Sequence, residues 1–251
     1  LGYLLAAGGE AAVVDPLRAF TDRYLADAAD LGADLRYAID THVHADHVSG
    51  GRALADRLGV PYYLGSEATG RDVEYEFTAL DDGQTLTVGD YDIEAIHAPG
   101  HTSDMTNYLV DGRFLLTGDT LFVESVGRTE LQFGDDDAAT GAKLLYATLH
   151  DTLLSLPDET RVLPGHVSVD ADGRYGVAAP GELVSATLGD LRADLDLLSM
   201  DESAFVARVA DDTPEKPVNY ERVIDINTGR ASVGDEEEAT ELELGPNNCA
   251  A

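Results

Sequence analysis

Thr41-His42-Val43-His44-Ala45-Asp46-His47 is the stretch on which the reading of this chain turns. It follows Tyr37–Asp40, a short run with a strand's composition. It precedes Gly50–Leu58, which reads as a helix behind Ser49. Three imidazoles and a carboxylate within six residues, at the end of a strand, are costly unless something neutralises their crowding. A bound divalent cation does so, and a tight turn lets His42 and His44 point one way while Asp46 and His47 point another. A chance surface cluster is the plain alternative.

Three further strand ends argue against chance. Ile93–Ala98 runs into Pro99-Gly100-His101, Phe114–Thr117 into Gly118-Asp119-Thr120, and Arg161–Leu163 into Pro164-Gly165-His166. In each case glycine stands just before the candidate ligand, where backbone must turn sharply or approach closely. Any one of these residues alone would read as an ordinary loop or core residue. Four strand ends delivering His or Asp is a pattern. His97, a strand residue nearby, is a candidate for supporting the site, and His150, on a helical stretch, reads as structural.

Strand-like runs also occur at Tyr3–Ala7, Ala11–Val14, Pro61–Leu64, Thr85–Val88 and Met105–Val110. Helical spacing marks Thr21–Leu31 and Asp137–Ser155. Their interleaving predicts a layered α/β core over residues 1–170. Beyond His166 the pattern changes, and 171–251 is expected to be an extension of helices and strand packed on that core. There Gly173–Gly181 reads as loop and Gly181–Leu198 and Asp201–Ala210 as helices. The Pro-bearing Thr213–Tyr220 leads into Val223–Asn227, and Asp235–Glu243 is an acidic run that reads as a solvated edge.

Composition narrows the functions open to the chain. Of 251 residues, 48 are acidic and 16 basic, a formal charge of -32, and only Lys143 and Lys216 are lysines. Such a surface repels nucleic acid and anionic membranes, so neither is expected as a partner. Acid spread along a chain that is still 44% hydrophobic fits a cytoplasmic protein of an extreme halophile. One cysteine, Cys249, excludes an internal disulfide and a cysteine zinc cluster, so metal must be held by His and carboxylates. The chain opens on Leu1 already in a strand-like run, and the natural protein is expected to start upstream.

The combination HxHxDH, GHT, GD and a strand-following GH, over about residues 1–170, resembles the metallo-β-lactamase superfamily. The resemblance implies a four-layer αββα sandwich with the site at one edge of its two sheets. It implies one metal position bounded by His42, His44 and His101 and another by Asp46, His47 and His166, with Asp119 able to bridge them. Asp46 and His47 are also the catalytic candidates. All seven ligand positions are filled, unlike a degenerate relative.

Within the superfamily, Gly127-Arg128-Thr129-Glu130-Leu131-Gln132 is similar to the GRTDFQ-type segment of persulfide dioxygenases, whereas glyoxalase II enzymes usually carry GRxFEG. Phe205, Pro214, Pro217, Asn219-Tyr220 and Asn227-Thr228-Gly229 are similar to the carboxyl end of the same dioxygenases. That resemblance implies one Fe(II) per chain on His42, His101 and Asp119, a facial triad with open positions, and Arg128 as the contact for a substrate anion. The substrate would be a small-molecule thiol derivative, its persulfide oxidised to sulfite and thiol. The alternative is a glyoxalase II-like thioester hydrolase with one or two zinc ions. Relatives are commonly homodimers. Asp104 stands where relatives commonly have glycine, and Val167-Ser168 where an acidic residue and tyrosine often follow the last histidine. The missing tyrosine points away from glutathione toward another thiol carrier.

Overall fold

The computed structural model describes residues 1–134, 137–167, 178–179, 181–211 and 215–242. Most of the expected Gly173–Gly181 loop, Ser168, Pro214, the end of the acidic run and Cys249 lie outside the described residues.

Two mixed sheets stack face to face. The first has the order β1 (Tyr3–Ala7), β2 (Glu10–Val14), β3 (Asp34–Ile39), β4 (Tyr62–Gly65) and β5 (Thr78–Leu80). Only the β1–β2 hairpin in it is antiparallel. The second sheet runs β11 (Ala186–Thr187), β10 (Arg161–Pro164), β9 (Phe114–Gly118), β8 (Thr106–Val110), β7 (Tyr91–His97) and β6 (Thr85–Val88).

Alternation of side chains sorts the layers. Ala12 and Val14 of β2 face inward and join Ile93, Ala95, Tyr108, Val110 and Leu116 of the second sheet in the central core. Their neighbours Ala11 and Val13 face outward, under Ala28 of α1 (Thr21–Asp30) and Leu54 of α2 (Gly51–Leu58). On the far side, Ile96, Leu109 and Leu115 meet α4 (Ala138–Ala147), which follows the short α3 (Glu130–Phe133). Both faces of both sheets are therefore covered, which makes the α/β/β/α sandwich. After α5 (Leu188–Asp194), α6 (Glu202–Asp211) seats Phe205 and Val209 in the same core as α4. Helices α7 (Tyr220–Asn227) and α8 (Glu236–Leu242) complete the described chain.

Several elements depart from expectation for local reasons. Gly181–Leu198 is not one helix: Ala186–Thr187 adds a strand to β10, and Thr187 in extended conformation caps α5 by accepting from the Asp190 amide at 3.1 Å. The long helix expected over Asp137–Ser155 loosens into a π turn at Thr148–Thr152, where Thr148 donates to the Pro99 carbonyl at 2.7 Å. Val223–Asn227 lies within α7, and β5 is too short for alternation to reveal.

Strand direction positions the site. β7 and β9 are both antiparallel to β8, hence parallel to one another, and β10 is parallel to β9. All three end at one edge of the second sheet. β2 and β3 run parallel in the first, so the residues after them also share an edge.

Candidate metal centre

Seven side chains meet where these strands end. His42, His44, Asp46, His47, His101 and Asp119 are buried, and His166 is partly so. Their donor atoms form two groups, each within 4.8 Å: His42 with His101 and Asp119, and His44 with Asp46 and His47. Asp119 Oδ2 lies 3.9 Å from His42 Nε2 and 3.5 Å from His101 Nε2. Asp46 Oδ1 lies 3.8 Å from His44 Nδ1. His166 joins the groups, with Nδ1 2.7 Å from Asp119 Oδ1 and Nε2 3.1 Å from Asp46 Oδ2. All seven expected ligand residues thus come together, but His44 groups with Asp46 and His47 rather than with His42 and His101.

Close backbone approach makes this possible. Gly118 has φ 46°, and a Cβ there would meet Thr41 Oγ1 at 2.6 Å. A Cβ at Gly165 would meet Asp119 Oδ1 at 2.6 Å. The glycines before Asp119 and His166 are therefore both required by space, and Gly118 by its left-handed turn as well.

The donor set fits a metal. His42 Nε2, His44 Nδ1, His47 Nε2 and Asp119 Oδ2 are buried and have no hydrogen-bond partner. Each such atom costs about 1–3 kcal/mol if left unsatisfied, and cations would satisfy them together. Protonation agrees in the first group. Burial, with His44 and His101 nearby, holds the His42 imidazole well below its ordinary pKa, and burial also lowers His101. Burial alone would raise the Asp119 carboxyl, but His166, His101 and His42 outweigh it and keep it far below the usual carboxylate range. Two neutral imidazoles and one carboxylate are what a divalent cation binds. In the second group burial disfavours the His44 cation, yet Asp15, Asp40 and Asp46 prevail and raise it to about 9. A metal at His44 must displace that proton.

Each ligand is oriented by its other polar atom. Asp15 follows β2 and accepts from His44 Nε2 at 3.1 Å, leaving Nδ1 for a metal. The same carboxylate accepts from the Thr41 amide at 2.7 Å and hydroxyl at 3.0 Å, and Thr41 Oγ1 lies 2.9 Å from His42 Nδ1. His101 Nδ1 donates to the Arg128 carbonyl at 2.6 Å. Asp104 accepts from the Val43 amide at 2.7 Å and pairs with Arg71. Asn227, at the end of α7, donates to the His44 and His47 carbonyls at 3.0 and 2.8 Å and accepts from the Ser49 amide at 2.9 Å.

Asp15 and Asn227 escaped the sequence reading. Asp15 had a signal, an acid closing an apolar strand just before Pro16; Asn227 was singled out only within Asn227-Thr228-Gly229, with no role at the site attached to it. Arg128 is buried beside the site. Its side chain is 0% exposed, its Nε lies 2.6 Å from Glu130 Oε1, and its Nη1 donates to the Glu215 carbonyl at 3.2 Å. In this structure the guanidinium is engaged inside the protein. His97 Nε2 lies 3.0 Å from the Ser103 carbonyl beside the His101 loop, and His150 stacks on Tyr146 at 4.1 Å.

Residues 2–166 match the model of the Metallo-beta-lactamase superfamily. The human mitochondrial persulfide dioxygenase ETHE1 is 30% identical over 158 residues, 62% of this chain and 59% of that protein. A probable hydroxyacylglutathione hydrolase of Schizosaccharomyces pombe is 34% identical over 146 residues, 57% of this chain and 52% of its own length. The chain thus spans less than two thirds of these curated relatives. The crystal structure of ETHE1 from Myxococcus xanthus superposes with a TM-score of 0.76 at 27% identity, covering 91% of this chain and 93% of that one. Fold and site together define a metalloenzyme scaffold with clustered His and Asp ligands. The chain belongs to the metallo-β-lactamase superfamily, related to both persulfide dioxygenases and glyoxalase II enzymes.

Proposed function

We propose that the chain is an iron-dependent dioxygenase acting on a small thiol persulfide. The observation that carries this reading is the His42–His101–Asp119 group, two neutral imidazoles and one carboxylate from three strand ends. Three protein ligands leave positions for substrate and oxygen, the facial arrangement of non-haem iron enzymes. The similarity to ETHE1 proteins adds support. In the overall reaction RSSH, O2 and H2O give RSH and sulfite with two protons. The outer sulfur gives up four electrons and oxygen takes them. Fe(II), one per chain, would supply the oxygen-binding redox centre.

The chain's own residues hold that centre in shape. Asp15 and Thr41 orient His42 and His44, and the Arg128 carbonyl fixes His101. Asp46 Oδ2 lies within 3.1 Å of both His47 Nδ1 and His166 Nε2; burial alone would raise its pKa, but the two imidazoles outweigh it, so Asp46 stays a carboxylate that orients both rings.

The second ligand group favours one other reading. His44, Asp46 and His47 would let two zinc ions share the site and activate water for thioester hydrolysis, as in glyoxalase II enzymes. The deciding experiment is oxygen uptake by anaerobically iron-loaded protein in concentrated KCl with a small-thiol persulfide. Uptake with sulfite formation, lost in Asp119→Ala, is expected. No uptake, with thioester cleavage by the zinc-loaded form, would replace the dioxygenase reading with the hydrolase.

A further inference from the structure

Behind the metal loop, between α2 and α7, lies a cavity of about 220 Å³, room for about seven waters at ~30 Å³ each. Its walls include Arg18, Ser49, Arg52, Tyr62, Tyr75 and Asn227, while Val48 and Ile226 border it but are themselves buried. It is separate from the two ligand groups, with Ser49 and Tyr62 donating to Asp40 from its inner side.

Arg52 sets this cavity apart. In a chain with three acids for every base, Arg23, Arg36, Arg57, Arg71, Arg192 and Arg222 each find a carboxylate. Arg52 has no ion pair among the described residues, although Asp56, one helical turn on, shares its wall. Its guanidinium instead stacks over the Tyr75 ring at 4.5 Å. Stacking holds a guanidinium by its face and leaves its N–H edge available, the edge that grips a carboxylate with two parallel hydrogen bonds. The Tyr75 ring is itself fixed, because its hydroxyl donates to the Asn227 carbonyl at 2.7 Å. Arg18 adds a second positive charge to the same wall.

We propose that this cavity is a binding site for a small organic carboxylate, its anionic end on the Arg52 edge. A carboxylate's two oxygens match the two parallel N–H donors of the Arg52 edge, and a neutral molecule would leave the guanidinium unmatched. The site does not depend on which reaction the metal centre performs.

Calorimetric titration of the metal-loaded protein with butyrate, benzoate and their amides, at constant KCl, tests this. Butyrate or benzoate is expected to bind, and the matching amide to bind at least about tenfold more weakly. Arg52→Gln is expected to weaken carboxylate binding by at least about the same factor, with activity in the absence of carboxylate unchanged. Tyr75→Phe, which keeps the ring under Arg52, should retain binding. A carboxylate held by the metal instead would bind Arg52→Gln as tightly as the parent, which would overturn the proposal. So would equal binding of acid and amide, or no heat from either acid into the tens of millimolar.

Discussion

His42, His101 and Asp119 are brought together from three strand ends in two sheets, whereas His44, Asp46 and His47 come from a single loop. The first group exists only when the sandwich has closed, so its geometry is as rigid as the sheets. The second is contiguous in sequence, yet a loop has no ladder to hold it. It is held from outside, by Asp15 on the His44 ring and by Asn227 on two loop carbonyls. A ligand set that is easy to assemble is thus the one that needs most support.

The largest expected effect breaks the support of the distant group. Arg128 and Glu130 form a buried ion pair on the segment whose carbonyl orients His101. Arg128→Met leaves the Glu130 carboxylate buried without its partner and is expected to destabilise the protein by about 3–5 kcal/mol. That is a fall in melting temperature on the order of 10 °C. Adding Glu130→Leu should recover much of it, because the pair is then removed whole. Calorimetry of the two variants checks this. An unchanged melting temperature with a raised KM would support Arg128 as a substrate contact.

Asp15 touches both groups, directly through His44 and by way of Thr41 through His42, and so sharpens the comparison. Asp15→Ala is expected to lower metal affinity about 10–100-fold, read by competition with a chelating indicator. The pH dependence has a definite sign. In the metal-free protein the His44 pKa is raised to about 9 from an unfolded value of about 6.5. Its stabilising contribution is complete below the lower value and is lost as pH rises through the higher one. Chelator-treated protein should therefore lose stability across that interval, and Asp15→Ala should flatten the loss. Equal slopes would remove Asp15 as the cause.

How much of this was legible follows from the same contrast. Strand ends, Gly-preceded His and Asp, and the HxHxDH cluster are local features, so the layers and the clustering of these seven His and Asp residues could be read along the chain. The grouping of those residues around a metal depends on how rings rotate inside a closed site, where the His44 ring lies 4.2 Å from both His42 and His47. Arg128 sat in a motif whose one-dimensional form does not distinguish an outward guanidinium from one folded back on Glu130, two residues away. Asn227 could not be assigned because only the docking of α7 brings its amide to the metal loop.

Asn227 also provides the most selective way to separate the groups. Its side chain makes three hydrogen bonds to the loop 44–49 and, among the described residues, none to His101 or Asp119. Asn227→Ala leaves two carbonyls and an amide of a largely buried loop seeking water. The expected cost is about 1–3 kcal/mol, felt by the loop more than by the sheets. A stepwise zinc titration should therefore show the site on His44, Asp46 and His47 weakened while that on His42, His101 and Asp119 keeps its affinity. If both weaken together, the two groups form one cooperative unit, and the contrast between a sheet-held and a loop-held site fails.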